Sequence, residues 1–71
     1  MNAAIEQIDA IRKLKENGKF EKMEKTLKEI AELRIQNPSA SLTELGKMLQ
    51  PPISKSGVNY RLKKIMEIGK E

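Results

Sequence analysis

The sequence predicts an all-α fold, a small four-helix domain in which the last two helices form a helix-turn-helix. Three observations support this. Apolar residues recur at the three- and four-residue spacing of amphipathic helices in four segments, and the 71-residue chain lacks strand signals. Residues that cap or break helices lie at the ends of these segments. A rigid turn at Gln50-Pro51-Pro52 separates the last two segments.

The first segment, residues 1–19, is predicted to be an N-terminal linker or support helix. Asn2 suits its N-cap, and Gly18 is predicted to end it in left-handed geometry, which glycine adopts readily. Its apolar face is expected to have Ala4, Ile8 and Ile11 at the centre and Ile5 and Leu14 at the edges. The pattern leaves open whether this face packs on the helix-turn-helix or meets a missing partner.

Residues 20–71 are predicted to form the helix-turn-helix domain itself. Its support helix should span residues 22–36, with Phe20 filling the core at the bend before it and Asn37-Pro38 ending it. The apolar face of this helix is expected to include Met23, Leu27, Ile30, Ala31, Leu33 and Ile35. Three methionines are predicted to be adaptable core filler: Met23, Met48 and Met66.

The first motif helix is predicted over residues 41–50. Ser41 and Glu44 have the spacing of a capping box, in which each side chain accepts a hydrogen bond from the other residue's backbone N–H. Gly46 lies beside the apolar residues of this helix, at a point where a neighbouring helix must come close. Those apolar residues are Leu42, Leu45 and Leu49.

The recognition helix is predicted over residues 54–68, and either Ser54 or Ser56 can cap it. Its inward stripe is expected to be Val58, Leu62, Ile65 and Met66. The opposite side is then free to enter the major groove of DNA, as the second helix of such motifs does. The predicted DNA-binding residues are Ser54, Lys55, Ser56, Asn59, Tyr60, Arg61, Lys63 and Lys64.

Within this set the expected roles differ. Base edges or the groove wall should be met by Ser56, Asn59, Tyr60 and Lys63, and phosphates by Lys55, Arg61 and Lys64. Asn59 is the best base reader, because a side-chain amide can pair bidentately with adenine. The pattern alone fits a plain helical hairpin with a solvated polar face equally well.

The distribution of charge favours a polyanion at the C-terminal half. The net formal charge is +4; residues 1–40 hold eight basic and seven acidic residues, and residues 41–71 hold six and three. This basic half should attract phosphate. The charges of the support helix are predicted to be a solvated face, formed by Lys22, Lys25, Lys28, Glu29 and Glu32.

Several classes of function are excluded or disfavoured by composition. The chain has no cysteine and no histidine, which excludes disulfides, thiolate or imidazole metal sites and the usual nucleophile and base pairs. Two aromatic residues are too few to stack single-stranded nucleic acid, so duplex DNA is the better polyanion. We therefore expect no enzyme activity, no cofactor, no metal, no small-molecule substrate, no membrane association and a cytoplasmic, nucleoid-associated location.

At the helix-turn-helix the sequence also resembles a known family. The pieces that carry the resemblance are Ile30-Ala31-Glu32-Leu33-Arg34, Asn37-Pro38, Ala40-Ser41-Leu42, Glu44-Leu45-Gly46 and the run from Pro51 through Asn59. They are similar to the C-terminal helix-turn-helix domain of the WhiA family of bacterial sporulation and cell-division regulators. Two residues depart from the family pattern: Tyr60 stands where a histidine is expected, and Glu24 where a proline is expected.

The resemblance implies a transcription regulator that binds promoter DNA and controls cell division, chromosome segregation or, in spore formers, sporulation. It also implies that the chain is a fragment, since family members carry an N-terminal domain similar to LAGLIDADG homing endonucleases. The expected fold is of the kind seen in region 4 of sigma factors, a comparison of fold alone. RNA polymerase and its sigma factor are expected partners.

The alternative function is a helical docking module that reads no DNA. In that case either the polar face of the last helix or the stripe around Ile8 and Ile11 would bind a protein, for example RNA polymerase or its sigma factor.

Overall fold

The computed structural model describes residues 3–70, so the expected N-cap Asn2 lies outside the described residues. Within that range the chain forms four α-helices, which confirms the predicted all-α class. A single 3₁₀ turn at Phe20–Lys22 lies between the first two helices. The helices are α1 (Ala3–Glu16), α2 (Lys25–Gln36), α3 (Leu42–Met48) and α4 (Lys55–Gly69).

Helix α4 is the centre of the fold, because α1, α2 and α3 all pack against it. Three of the four residues predicted for its inward stripe are confirmed, since Val58, Leu62 and Ile65 are at most 1% exposed. The fourth, Met66, is only half-buried and lies outside the core, so its prediction as core filler was wrong. The other three helices contribute fully buried partners, namely Ile11 and Leu14 from α1, Ile30 from α2 and Leu45 from α3. Each such side chain stabilises the fold by about 1.5–3 kcal/mol through removal from water, so the orientation of α4 is firmly set.

Helix α1 packs on the helix-turn-helix, which settles the question that its pattern left open. The predicted face was right at Ile11, which is fully buried, but Ile8, also expected at the centre, is only half-buried. Of the two expected edges, Leu14 is fully buried and Ile5 is 59% exposed. The buried stripe runs instead through Gln7, Ile11 and Leu14, at spacings of four and three residues. Gln7 is only 7% exposed, and its Oε1 has no hydrogen-bond partner. A pattern read from apolar residues alone missed this polar member of the inner face.

The connection between α1 and α2 is longer than predicted, because α1 ends at Glu16 and α2 begins at Lys25. Gly18 has a φ of +81°, the left-handed geometry expected of it. Phe20 is 8% exposed and fills the core at the bend, as predicted, with Lys15 Nζ 4.9 Å from the centre of its ring. Helix α2 begins at Lys25, three residues later than predicted, because Met23 and Glu24 are extended between the 3₁₀ turn and the helix.

Arg34 holds the link between α2 and α3 in place. Its side chain is 3% exposed, and its Nη1 donates to the carbonyl oxygens of Ala40 at 2.9 Å and of Asn37 and Pro38 at 3.4 Å. Burial lowers the pKa of Arg34. Since one guanidinium binds three carbonyls of the same link, the start of α3 is fixed relative to α2.

Candidate nucleic-acid interface

The start of α3 is a complete capping box. The hydroxyl of Ser41 accepts a hydrogen bond from the backbone N–H of Glu44 at 3.1 Å, and Glu44 Oε1 accepts one from the backbone N–H of Ser41 at 2.9 Å. These bonds from the backbone and side chain of Ser41, with a smaller contribution from Lys47, lower the pKa of Glu44. The predicted capping box is confirmed, and it defines where the helix-turn-helix begins.

The turn after α3 crosses the helix at Gly46. Leu49 is extended, so α3 ends at Met48, and the carbonyl of Gly46 accepts hydrogen bonds from the N–H groups of Leu49 at 3.4 Å and Ile53 at 3.1 Å. A Cβ atom on Gly46 would overlap the carbonyl oxygen of Ile53 and lie 3.2 Å from Cγ2 of Val58. The close approach predicted for Gly46 is therefore confirmed. Both the turn, through Ile53, and α4, through Val58, pack closely against this glycine.

Ser54 caps α4, which resolves the choice between the two serines. Its hydroxyl accepts a hydrogen bond from the backbone N–H of Gly57 at 3.2 Å. The helix proper then begins at Lys55 and continues to Gly69, one residue beyond the predicted range. Ser56 is left exposed in the first turn.

The outward side of α4 is polar and cationic. Since the inward stripe is buried, the residues on the opposite side of the helix are open to solvent, and Tyr60 is 62% exposed. Lys64 Nζ lies 5.9 Å from the centre of the Tyr60 ring. We call this surface the recognition face; it consists of Lys55, Ser56, Tyr60, Lys63 and Lys64.

Asn59 and Arg61 lie on opposite flanks of the recognition face, and both are half-buried. Asn59 borders a hollow of about 460 Å³, together with Ser41 and Leu42 at the start of α3 and Ala4 of α1. Arg61 borders a groove of about 450 Å³ between α4 and the start of α2. The structure thus brings the predicted residues to one side of the molecule, with five on the face, one on each flank and Ser54 at the cap.

The groove beside Arg61 contains a basic residue that the sequence analysis placed elsewhere. Lys22 of the 3₁₀ turn borders this groove with Arg61 and Lys64. Lys25 and Lys28, grouped with Lys22 in the sequence, instead border a cleft on another side of α2. Lys28 Nζ is also 3.7 Å from the carboxylate of Glu21. No local pattern could have separated these lysines, because the separation depends on the 3₁₀ turn that holds Lys22 apart from Lys25 and Lys28 of α2.

The cleft beside Lys25 has a volume of about 570 Å³ and a mainly apolar surface, although six of the ten residues that line it are polar or charged. Phe20, Leu33, Met48 and Leu49 contribute to its wall, and the residues that line it come from outside α4. Met48 is 43% exposed there, so its prediction as core filler was wrong, whereas Met23 is buried at 8% exposure as predicted. Met48 points outward because α3 ends at that residue and the chain turns away.

Two findings concern other kinds of site. From residue 3 to residue 70, no helix is both long and apolar enough to cross a membrane. Over the same residues, no cluster of three or more acidic, cysteine or histidine side chains is placed to hold a metal ion.

Comparison with known proteins identifies the family. Residues 1–69 match the family described as the WhiA C-terminal HTH domain. This chain belongs to that family. The family match confirms the resemblance predicted from the helix-turn-helix residues, and it extends through α1 as well as the motif.

Relatives named as probable cell division protein WhiA match most or all of the chain. The one from Thermoanaerobacter sp. (strain X514) is 52% identical over 71 residues, which is 100% of this chain and 22% of that protein. The one from Lactococcus lactis subsp. cremoris (strain MG1363) is 54% identical over 65 residues, or 92% of this chain and 21% of that protein. The chain thus spans about a fifth of the length of these WhiA relatives. No solved structure matches it.

Proposed function

We propose that this WhiA-type domain binds duplex DNA by placing α4 in the major groove. The observation that carries the proposal is the division of α4 into a fully buried apolar stripe and an open polar and cationic recognition face. A helix with its side chains is about 10–12 Å across and the major groove is about 12 Å wide, so α4 fits with its outer face toward the bases.

Within that arrangement the residues take different roles. Ser56, Tyr60 and Lys63 face the bases or the groove wall, and Asn59 reaches an adenine edge from its flank. Lys55, Arg61 and Lys64 contact phosphates, which position the protein without reading sequence. Ser54 caps the helix and keeps a free O–H to donate to a phosphate.

For the whole protein we propose a role in transcription control of cell division. The support is the name carried by the relatives, probable cell division protein WhiA, together with the helix-turn-helix family of this domain. The same proposal includes promoter recognition, chromosome segregation, sporulation, a place on the nucleoid in the cytoplasm, and contact with RNA polymerase or its sigma factor. They concern a whole WhiA protein, whereas this chain spans about a fifth of the length of these relatives.

A fluorescence anisotropy titration tests the proposed DNA binding. A target duplex obtained by selection from a random library is compared with a scrambled duplex. Asn59→Ala should weaken the target complex by about 1–3 kcal/mol, roughly 5- to 150-fold, and relax the preference at one base position. Lys64→Ala should instead weaken both duplexes alike. Equal losses on the two duplexes for Asn59→Ala would remove Asn59 from base reading, and no binding in dilute salt would end the proposal.

A second candidate function is protein docking, favoured by the apolar cleft between α2 and α3. The cleft lies away from α4, so a protein could bind there while α4 is on DNA. Of the two docking surfaces expected from the sequence, the stripe around Ile8 and Ile11 is less suited, because Ile11 is fully buried within the domain. Met48→Lys should abolish capture of the domain by a purified RNA polymerase holoenzyme and leave DNA affinity unchanged. Unchanged capture would exclude this cleft.

A further inference from the structure

A helix in the major groove has a phosphate strand along each of its two flanks. The groove is about 12 Å wide and scarcely wider than the helix, so side chains beside α4, on whatever element they lie, meet one strand or the other. The two flanks of α4 are bordered by different parts of the chain. They therefore offer different chemistry to the two strands.

The flank at Arg61 is bordered by three basic side chains. Lys22 from the 3₁₀ turn and Lys64 from α4 are exposed, and Arg61 from α4 is half-buried. Among residues 3–70 no ion pair ties any of the three to an acid. Glu24 and Glu67 also border the groove, so three positive charges face two negative ones and the balance is one positive charge. An exposed, unpaired lysine in this position is available to a phosphate.

In the described part of the chain, the hollow at the Asn59 flank has no comparable group of three basic side chains along its border. The hollow is bordered by hydroxyl groups, those of Ser39 and Ser41, and by a single basic residue, Arg34. Arg34 is buried, and its Nη1 is already bonded to the carbonyls of the α2–α3 link. Among residues 3–70, this flank can donate hydrogen bonds to a phosphate strand, but the residues outside α4 that border its hollow offer no free cation.

We propose that Lys22 is a DNA-binding residue, which together with Arg61 and Lys64 holds one of the two phosphate strands beside α4. The inference rests on the proposed insertion of α4 into duplex DNA and adds a contact from outside the helix-turn-helix. According to this proposal, the basic residues outside α4 attract mainly one of the two DNA strands. It also predicts different roles for Lys22 and Lys25, because Lys25 is a nearby lysine that borders the apolar cleft instead.

The salt dependence of binding to a random 20-base-pair duplex tests this, because phosphate contacts need no particular sequence. Dissociation constants are measured by anisotropy across a salt series for the wild type, Lys22→Ala, Lys64→Ala and the matched control Lys25→Ala. Removing one phosphate contact should reduce the slope of log affinity against log salt by about one unit. As salt rises from about 50 to 200 mM, the loss of affinity of Lys22→Ala relative to the wild type should therefore shrink by about 3.5-fold. Lys25→Ala should keep the wild-type slope.

The possible results separate this inference from the proposed function. If the wild type binds and Lys64→Ala flattens the slope while Lys22→Ala matches Lys25→Ala, Lys22 is not in the interface and DNA binding stands. If the wild type fails to bind duplex even in dilute salt, both are wrong. Circular dichroism of each variant checks folding, and Lys22→Gln repeats the measurement with a side chain of longer reach. A flattened slope in both Lys22 variants would support the contact.

Discussion

The packing of the turn onto α3 predicts that Gly46→Ala destabilises the domain. The added methyl group would overlap the carbonyl oxygen of Ile53, which is backbone and cannot rotate away as a side chain can. The turn also cannot shift freely, because the N–H of Ile53 donates to the carbonyl of Gly46 at 3.1 Å. Overpacking costs about 1–3 kcal/mol and weakening that bond about 1 kcal/mol, while alanine's better helix propensity offsets about 1 kcal/mol.

We therefore expect Gly46→Ala to lower the free energy of unfolding by about 2 kcal/mol, and the melting temperature by roughly 8–16 °C for a domain of this size. Thermal melts followed by circular dichroism measure it. Gly57→Ala is the matched control, since its Cβ would lie 3.3 Å from Cδ1 of Ile53, the movable end of a side chain. That variant should melt at or slightly above the wild-type temperature. Equal melting of the two variants would refute the close crossing of turn and helix.

Two further predictions concern the caps and the link before α3. The lowered pKa of Glu44 means that its contribution to stability is present above its ordinary value of 4.5 and is lost as pH falls through the lowered value. Glu44→Gln keeps the capping box but not the titration, so its melting temperature should converge with that of the wild type in acid; a constant difference would contradict this. Arg34→Met should lower the free energy of unfolding by about 2 kcal/mol in urea titrations, because three carbonyls lose their donor. A loss below half of that would show that water satisfies them.

Local chemistry made much of the fold predictable from the sequence. The capping box at Ser41 and the inward stripe at Val58, Leu62 and Ile65 depend on residues within one or two helical turns of one another. Such features follow from backbone hydrogen bonding and helical periodicity. For the same reason the all-α class and the position of the recognition helix were correctly predicted.

Features that depend on how the helices cross could not be predicted. Leu14, which was expected at the edge of the apolar face of α1, is fully buried, and the polar residue Gln7 belongs to the inner face. Met48 is exposed since the chain leaves α3 there, and Lys22 reaches the groove of Arg61 because of the 3₁₀ turn. These are tertiary effects, and no local spacing encodes them.

The recognition face also explains why the departure at Tyr60 is compatible with DNA binding. Its ring is exposed beside Lys64, so the phenol O–H can donate to a phosphate or the ring can pack on a sugar. A tyrosine there adds no positive charge in the physiological range, unlike a protonated histidine. The contacts that depend on salt are therefore assigned to the lysines and Arg61 alone.

The most direct test of α4 as the DNA-reading element is an amide chemical-shift map recorded during titration with duplex DNA at low salt. We expect the largest shifts at Ser56, Tyr60 and Lys63 of the recognition face, smaller shifts at Lys22, and none at Met48 in the apolar cleft. Shifts centred on the cleft, with α4 unchanged, would contradict the account.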